Sequence, residues 1–177
     1  MNATVEAAHQ VLAITQLADA SLETSVAPTA LHSGTTSNTI PARAELQIDV
    51  RAWTVTELNR VDAQLRALLP TLPGSVLRLE GGINRPPLSA EASASLYSLS
   101  TEVASELGIK PPGSAAVGGT SDGNFTAGLG IPTLEGLGSV GGGAHSADEH
   151  VLIPSIAERT ALLAGLVQRI LEGHLTR

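Results

Sequence analysis

The sequence has no cysteine, and this absence excludes several classes of protein. Without a thiol there is no disulfide framework, no cysteine-ligated zinc finger, no iron–sulfur cluster and no thiol nucleophile. Aromatic residues are scarce as well, because Trp53, Tyr97 and Phe125 are the only ones. The core must therefore consist of Leu, Val, Ile and Ala, and the rings are too few to stack single-stranded nucleic acid.

Positive charge is also in short supply. The chain has 10 Lys and Arg residues against 17 Asp and Glu, its net charge is −7, and Lys110 is its only lysine. No basic patch is visible, which argues against nucleic-acid binding. No apolar run reaches the ~18 residues of a membrane span, and the first residues do not resemble a secretory signal. We therefore expect a cytoplasmic protein with neither a nucleic-acid partner nor a membrane partner.

The first half of the chain alternates predicted helices and strands. Residues 44–52 alternate apolar and polar side chains, which is typical of a half-buried antiparallel strand with Asp49 and Arg51 on its polar face. Thr54 precedes a helix, and Glu57 completes a capping box. The expected order is α-β-β-α-β, with helices over 3–18 and after Thr54 and strands over 22–31, 44–52 and 76–80. The first helix is expected to bury the stripe Val5, Ala8, Leu12, Thr15 and Ala18.

The second half begins after Pro86-Pro87 and contains a glycine-rich region between two predicted helices. The first of these helices carries Leu96, Leu99, Val103 and Leu107 and ends at Gly108. Pro154 opens the second, with Ile156, Leu163, Val167 and Ile170 expected inward. Between Gly118 and Gly143 lie 10 of the 18 glycines, interrupted by apolar residues. This composition favours folded loops whose backbone approaches a ligand, next to short strands over 115–117 and 131–135.

Two motifs in the glycine-rich region suggest different chemistries. Gly136 to Gly141 matches the dinucleotide pattern G-x-G-x-x-G, but Gly141-Gly142-Gly143 opens a helix poorly. Gly119 to Gly123 matches the G-x-S-x-G nucleophile elbow around Ser121, with Asp148 and His145 or His150 as triad partners. Those partners lie so close in sequence that one loop would carry both of them. A serine hydrolase therefore stays an alternative.

A third hypothesis concerns His145, which follows the triple glycine in a polar loop. A neutral imidazole is a good metal ligand, and Asp148 and Glu149 could orient it. One histidine is not a metal site, since catalytic zinc needs about three protein ligands. From these residues alone the chain carries at most part of such a site.

Several motifs together make the sequence resemble one family. The motifs are Ser37 to Pro41, Ala44 to Leu46, Asp49 to Arg51, Gly118 to Phe125, Gly130 to Leu134, Gly136 to Gly138, Gly142 to Ser146, and Glu149. With these motifs the sequence is similar to the co-catalytic zinc amidohydrolases and peptidases that include glutamate carboxypeptidase, aminoacylase and succinyl-diaminopimelate desuccinylase. The resemblance implies an α/β fold in which residues 1–85 form most of a lid and dimerisation domain, lacking its first strand. Residues 86–177 would then be the C-terminal part of the catalytic domain.

The resemblance also implies roles for individual residues. His145 matches a zinc ligand, and Asn38 and Arg51 match lid residues that bind the substrate. A guanidinium suits a carboxylate because its planar fork donates parallel hydrogen bonds, although Arg51 could instead pair with Asp49. Gly119 and Thr120 match the segment that contacts substrate near the metals.

Other family features have no counterpart in this sequence. Family members are longer, and their upstream half carries a His-x-Asp pair, a bridging Asp and a Glu-Glu pair that includes the general base. In the intact family a pair of zinc ions activates water for attack on an amide carbonyl. We therefore expect a fragment of a zinc carboxypeptidase or amidohydrolase that acts on a small N-acyl amino acid or peptide with a free carboxylate. The isolated chain should lack a catalytic base, bind zinc weakly and be inactive; a non-catalytic dimerisation module is the alternative.

Overall fold

The computed structural model describes residues 1–175, in which the chain divides into two units, Met1–Pro87 and the part that begins at Leu88. The first unit places helices beside a two-stranded sheet. Asn2 accepts the Thr4 N–H at the start of the first helix, and Thr54 accepts the Glu57 N–H at the start of the second, so both predicted N-caps are confirmed. The predicted capping box is wrong in its other half, because the Glu57 carboxylate accepts Thr24 Oγ1 and the Arg60 guanidinium instead of the Thr54 N–H. Its elements are α1 (Ala3–Thr15), a 3-10 helix (Ala20–Leu22), β1 (Ser25–Ser33), β2 (Ala44–Arg51) and α2 (Val55–Arg66).

Strands β1 and β2 pair antiparallel from Ser25 opposite Arg51 to Ser33 opposite Ala44. The register shifts between Pro28 and Ala30, where proline has no N–H to donate to the ladder. The predicted alternation of β2 is confirmed, because its apolar side chains face the core while its polar ones face out. The core of this unit joins Ile14, Val26 and Val61 with half-buried Leu46, Ile48 and Val50.

The predicted stripe on α1 is wrong. Val5 and Leu12 are 42% and 67% exposed, whereas α1 buries Glu6, Ala7, Gln10 and Ile14. The buried polar side chains face residues 69–72, where Gln10 Nε2 donates to Leu69 O at 3.0 Å. A hydrophobic pattern misses this face because hydrogen bonds from a distant segment offset the cost of burying polar groups.

Glu6 is the centre of that buried contact. Its carboxylate accepts the N–H groups of Thr71 and Leu72, the latter at 2.7 Å, and the amide of Gln10 at 2.7 Å. These donors, the Thr71 N–H first, lower the pKa of Glu6 to about 2. The carboxylate thereby fixes the segment after α2 against α1.

The strand predicted over residues 76–80 is also wrong. This segment has no strand pairing, Val76 is 89% exposed, and Arg78 forms an exposed ion pair with Glu80 at 3.0 Å. Alternating apolar and polar residues identify a segment that could be a strand, but a strand forms only where another strand can hydrogen-bond with it. The first unit therefore has the order α-β-β-α rather than α-β-β-α-β.

The second unit is built around two long helices. Val103 and Ala104 of the first pack against Leu162 of the second, and a side chain at Gly165 would lie 2.7 Å from Val103 Cγ1. Gly165 therefore permits the close approach of the helices. The elements are α3 (Ala90–Glu106), α4 (Gly123–Gly128), β3 (Gly141–Gly142), β4 (His150–Val151) and α5 (Ile153–Leu171).

The sequence predicts the two long helices of this unit well but misplaces other features. Leu96, Leu99 and Val103 are buried as expected, and α5 begins beside Pro154. The inward stripe of α5 is wrong, because Leu162 and Leu166 are buried while Leu163 and Val167 remain 45% and 48% exposed. Helix α5 carries apolar residues around much of its surface, so periodicity alone does not select the buried side.

The strands predicted over 115–117 and 131–135 are absent from the described part of the chain. Instead of joining a ladder, Thr133 donates its N–H to Ala92 O in α3 at 2.9 Å. The Ile131 N–H likewise donates to Thr126 O at 3.1 Å, so these two donors bind to helices instead of to a strand. Within residues 1–175, no helix combines the length and the apolar character needed to cross a bilayer.

Candidate functional site

His145 lies at the tip of a small hairpin in the second unit. Gly141 pairs with Val151 and Gly142 with His150, and Leu152 N–H extends the contact to Val140 O at 2.8 Å. The paired strands are only two residues long, so the tip depends on its own hydrogen bonds for its shape.

The backbone of His145 is in the left-handed region, with φ of 65°. Few residues other than glycine adopt this conformation, and such positions persist where the surroundings hold them. The Glu149 carboxylate supplies one such contact by accepting the His145 N–H at 3.3 Å. His145 is exposed, and its backbone is tied to the far side of the turn.

A second carboxylate in the turn, that of Asp148, is engaged by a hydroxyl. Ser146 Oγ donates to Asp148 Oδ1 at 2.5 Å, which lowers the pKa of Asp148. His150 Nδ1 lies 3.0 Å from the main-chain oxygen of Asp148, not from its carboxylate. Asp148 thus stabilises the turn, which is not the orientation that an acid–histidine pair of a catalytic triad requires.

The glycines of this hairpin are needed where the two strands approach each other. A side chain at Gly141 would overlap His150 O, and one at Gly143, where φ is 69°, would lie 2.9 Å from Asp148 O. A hairpin, not a helix, follows Gly141, so the dinucleotide motif lacks the helix N-terminus that would bind a pyrophosphate.

Arg159 of α5 holds the loop that precedes the hairpin. Its Nε donates to Gly138 O at 3.0 Å, and its Nη2 donates to Gly136 O. Sequence reasoning missed this contact, because a side chain more than twenty residues away supplies the donors and no local motif marks it.

Gly119 and Thr120 lie in an exposed segment before α4. Next to them, Ser121 N–H donates to Asn124 Oδ1 at 3.0 Å, and Ser121 Oγ accepts the Gly123 N–H at 3.1 Å. These bonds form a polar turn, the structure that short polar side chains favour. The hypothesis of a nucleophilic serine gains no support from these contacts of Ser121.

Glu135 is a further residue that sequence reasoning missed. Its carboxylate accepts the Gly123 N–H at 3.2 Å, and a side chain at Gly123 would overlap it. Gly123 therefore admits a carboxylate from another loop to the first turn of α4. The two residues are twelve positions apart, and nothing local in the sequence indicates that they meet.

Arg51 and Asn38 lie in the first unit. Arg51 ends β2, and its Nε donates to Asp49 Oδ2 at 2.7 Å, with the two side chains 58% and 46% exposed. Asn38 is exposed in the connection between Ser33 and Ala44, at the end of the sheet opposite Arg51. The observed ion pair with Asp49 is the alternative to substrate binding that the sequence analysis considered for Arg51.

A complete metal site is not formed by the part of the chain that the structure describes. Within residues 1–175, no three His, Asp or Glu side chains are grouped so that they could hold a metal ion. The candidate contribution of this chain is the single imidazole of His145. The residues present therefore fit one position of a metal site and do not fit a whole one.

The mixed helices and small antiparallel sheets are those of an α/β fold. A family comparison identifies it further: the profile of peptidase family M20/M25/M40 matches residues 5–169. The chain belongs to this family, as the sequence motifs predict.

Curated relatives and a solved structure agree with this assignment. The chain is 30% identical over 142 residues to succinyl-diaminopimelate desuccinylase of Xanthomonas euvesicatoria pv. vesicatoria (strain 85-10), covering 80% of this chain and 37% of the relative. The same enzyme of Xylella fastidiosa (strain 9a5c) is 29% identical over 145 residues, 81% of this chain and 38% of the relative. The matched part therefore spans less than two-fifths of these relatives.

The fold is that of a solved M20 structure. The Bacillus subtilis YXEP protein, described as a dinuclear metal binding peptidase from the M20 family, matches with a TM-score of 0.58 and 15% identity. The match covers 97% of this chain and 47% of the other. The likeness establishes the α/β fold.

Proposed function

We propose that this chain is part of a zinc-dependent carboxypeptidase or amidohydrolase. Its substrate class is a small N-acyl amino acid or peptide with a free carboxylate, cleaved at the amide bond. The observation that carries this proposal is the position of His145 at the tip of a hairpin, within a chain that matches the M20 family over residues 5–169. The desuccinylase relatives support a small acylated substrate.

In this proposal His145 supplies one metal ligand, with a pair of zinc ions in the intact site. Arg51 binds the substrate carboxylate, Asn38 at the other end of the sheet binds another part of the substrate, and exposed Gly119 and Thr120 let main chain approach the substrate. Residues 1–85 act as the lid and residues 86–177 as the C-terminal part of the catalytic domain. Because catalytic zinc needs about three protein ligands, the chain by itself is expected to bind zinc weakly and to be inactive.

A dimerisation role for the first unit is a second proposal. In the described residues β1 and β2 pair with each other alone, so each strand has an outer edge that could take up another strand. A homodimer through this sheet in the cytoplasm fits the proposed enzyme and would equally fit a non-catalytic module. Light scattering that finds a strictly monomeric chain would count against both forms of this proposal.

The test of the metal role uses a chimera. The 177-residue chain replaces the matched segment of the Xanthomonas desuccinylase, and bound zinc and hydrolysis of N-succinyl-diaminopimelate are measured. We expect His145→Asn to lower both, because asparagine tolerates the left-handed backbone but removes the imidazole. His150→Asn, in the same hairpin, is the matched control and should retain both.

Two outcomes would overturn the proposal. One is a chimera in which His145→Asn keeps full zinc content and full activity. The other is a folded chimera whose zinc content does not depend on either histidine. Hydrolysis by the isolated chain that survives a chelator would instead favour the serine hydrolase, and labelling of Ser121 by a fluorophosphonate would identify its nucleophile.

A further inference from the structure

The ion pair between Asp49 and Arg51 lies on the outward face of β2. The two residues are separated by one position, so the alternation of a strand places both side chains on the same side of the sheet. Their cross-strand neighbours are Ala27 opposite Asp49 and Ser25 opposite Arg51. Both neighbours are small, so the carboxylate and the guanidinium can lie side by side without bulk between them.

We propose that Asp49 is a specificity-determining residue that competes with the ligand carboxylate for Arg51. This inference rests on the proposed function of Arg51 in binding the substrate carboxylate. In this inference Asp49 is an internal competitor, and its negative charge weakens the binding of an anionic ligand to Arg51.

The chemistry of the guanidinium explains the competition. Arginine binds a carboxylate best through two parallel N–H donors on one edge of its planar fork. Asp49 accepts from Nε at 2.7 Å and so engages one of these edges. A ligand carboxylate must displace Asp49 from this edge or approach beside a second negative charge. Either route weakens binding in comparison with a chain that has no charge at position 49.

The size of the effect follows from the exposure of the pair. Both side chains are about half exposed, and the interaction free energy of an exposed ion pair is small. Removing the charge of Asp49 should therefore tighten carboxylate binding by about two- to fivefold. Asp49→Asn is the informative change, because the amide keeps the shape and one acceptor oxygen while losing the charge.

Glu45 provides a matched control on the same strand face. It is exposed, carries the same charge and pairs with Arg43 at 3.6 Å. It lies four residues from Asp49, about 13 Å along the strand, which exceeds the screening length at physiological salt. Glu45→Gln removes one negative charge from the chain without touching Arg51.

The experiment is a binding titration of the 177-residue chain with N-acetylglycine, monitored by the NMR signal of the Arg51 side-chain Nε–H. The wild type, Asp49→Asn, Glu45→Gln and Arg51→Ala are compared, and for Arg51→Ala the backbone amide of residue 51 is followed. N-acetylglycinamide, which has no carboxylate, serves as the ligand control. We expect tighter N-acetylglycine binding in Asp49→Asn, no change in Glu45→Gln and loss of binding in Arg51→Ala.

The outcomes separate this inference from the function on which it rests. Binding that persists unchanged in Arg51→Ala would refute the carboxylate role of Arg51 itself. If Arg51→Ala abolishes binding while Asp49→Asn binds no tighter than the wild type, the competition is refuted and the role of Arg51 stands. Equal tightening in Glu45→Gln, or no measurable binding to either the wild type or Asp49→Asn, would also overturn the competition.

Discussion

The two units hold their irregular segments in different ways. In the first unit, a buried carboxylate on α1 accepts backbone N–H groups from a segment some 65 residues further along the chain. In the second unit, the tip of the His145 hairpin is held mainly by residues within four positions of each other. Long-range contacts thus shape the segment after α2, whereas local contacts shape the candidate metal-binding loop.

This difference has a consequence for stability. A buried polar contact couples two distant segments, so its loss should affect the whole first unit. A local turn can open without disturbing the helices beside it. We expect substitutions in the core or in the Glu6 contact to lower stability broadly, and substitutions in the hairpin to act on the loop.

The largest effect should come from the core of the second unit. Leu162 is 1% exposed, and Leu162→Ala should lower the free energy of unfolding of this unit by about 3 kcal/mol. Leu163→Ala is the control next to it, and since Leu163 is 45% exposed its cost should stay below about 1 kcal/mol. Urea denaturation with hydrogen exchange of α3 and α5 measures both variants. Equal costs for the two would mean that the buried face of α5 is misassigned.

The next effect concerns Glu6. Its pKa is about 2 in the folded chain against 4.5 for an ordinary glutamate, so the carboxylate stabilises the fold above pH 4.5. That contribution is lost as the pH falls from 4.5 toward 2. Glu6→Gln places an NH₂ group among backbone donors and should lower the melting temperature by several degrees at neutral pH.

The pH dependence tests the cause of that effect. The gap in melting temperature between wild type and Glu6→Gln should narrow as the pH falls from 4.5 toward 2. Glu45→Gln, at an exposed position of the same unit, should lower stability little at any pH. A gap for Glu6→Gln that stays constant over this range would show that lost packing, not lost charge, is responsible.

The smallest effect on global stability should come from the hairpin. Gly143→Ala puts a methyl group 2.9 Å from Asp148 O at a φ of 69°, which should cost roughly 1–2 kcal/mol. We expect faster amide exchange over residues 141–151 and little change in α3. Gly138→Ala, where nothing lies within 4 Å of the added atom, is the control. Faster exchange throughout the second unit, including α3 and α5, after Gly143→Ala would contradict a locally held loop.

The features that the sequence predicts correctly are those that local contacts decide, and the features that it predicts wrongly depend on long-range contacts. The cap at Thr54, the alternation of β2, the end of α3 before Gly108 and the start of α5 beside Pro154 depend on neighbouring residues and are confirmed. The strands predicted over 76–80 and 131–135 fail because a strand needs a partner that local patterns do not report. The buried faces predicted for α1 and α5 are wrong because the side of a helix that is buried depends on which other elements pack against it.

The candidate site shows a similar limit. The motifs identify His145 and the family, and the family is confirmed. The roles of His145, Arg51, Asn38, Gly119 and Thr120 remain proposals. The left-handed backbone of His145 is held by contacts within its own turn, but the residue type does not announce it. The contact of Glu135 with Gly123 could not be read from spacing because it joins two separate loops.

By itself, the sequence determined the family, the helix caps, the alternating strand and the glycines that the turns require, because these depend on residue type and short spacing. The tertiary structure alone decided which helix faces are buried, that Glu6 binds the segment after α2, and that Asp49 takes the Nε of Arg51. These features depend on the free energy of contacts between groups that meet only when the chain is folded. A buried carboxylate is costly or stabilising according to the donors it finds, and those donors are fixed by the fold.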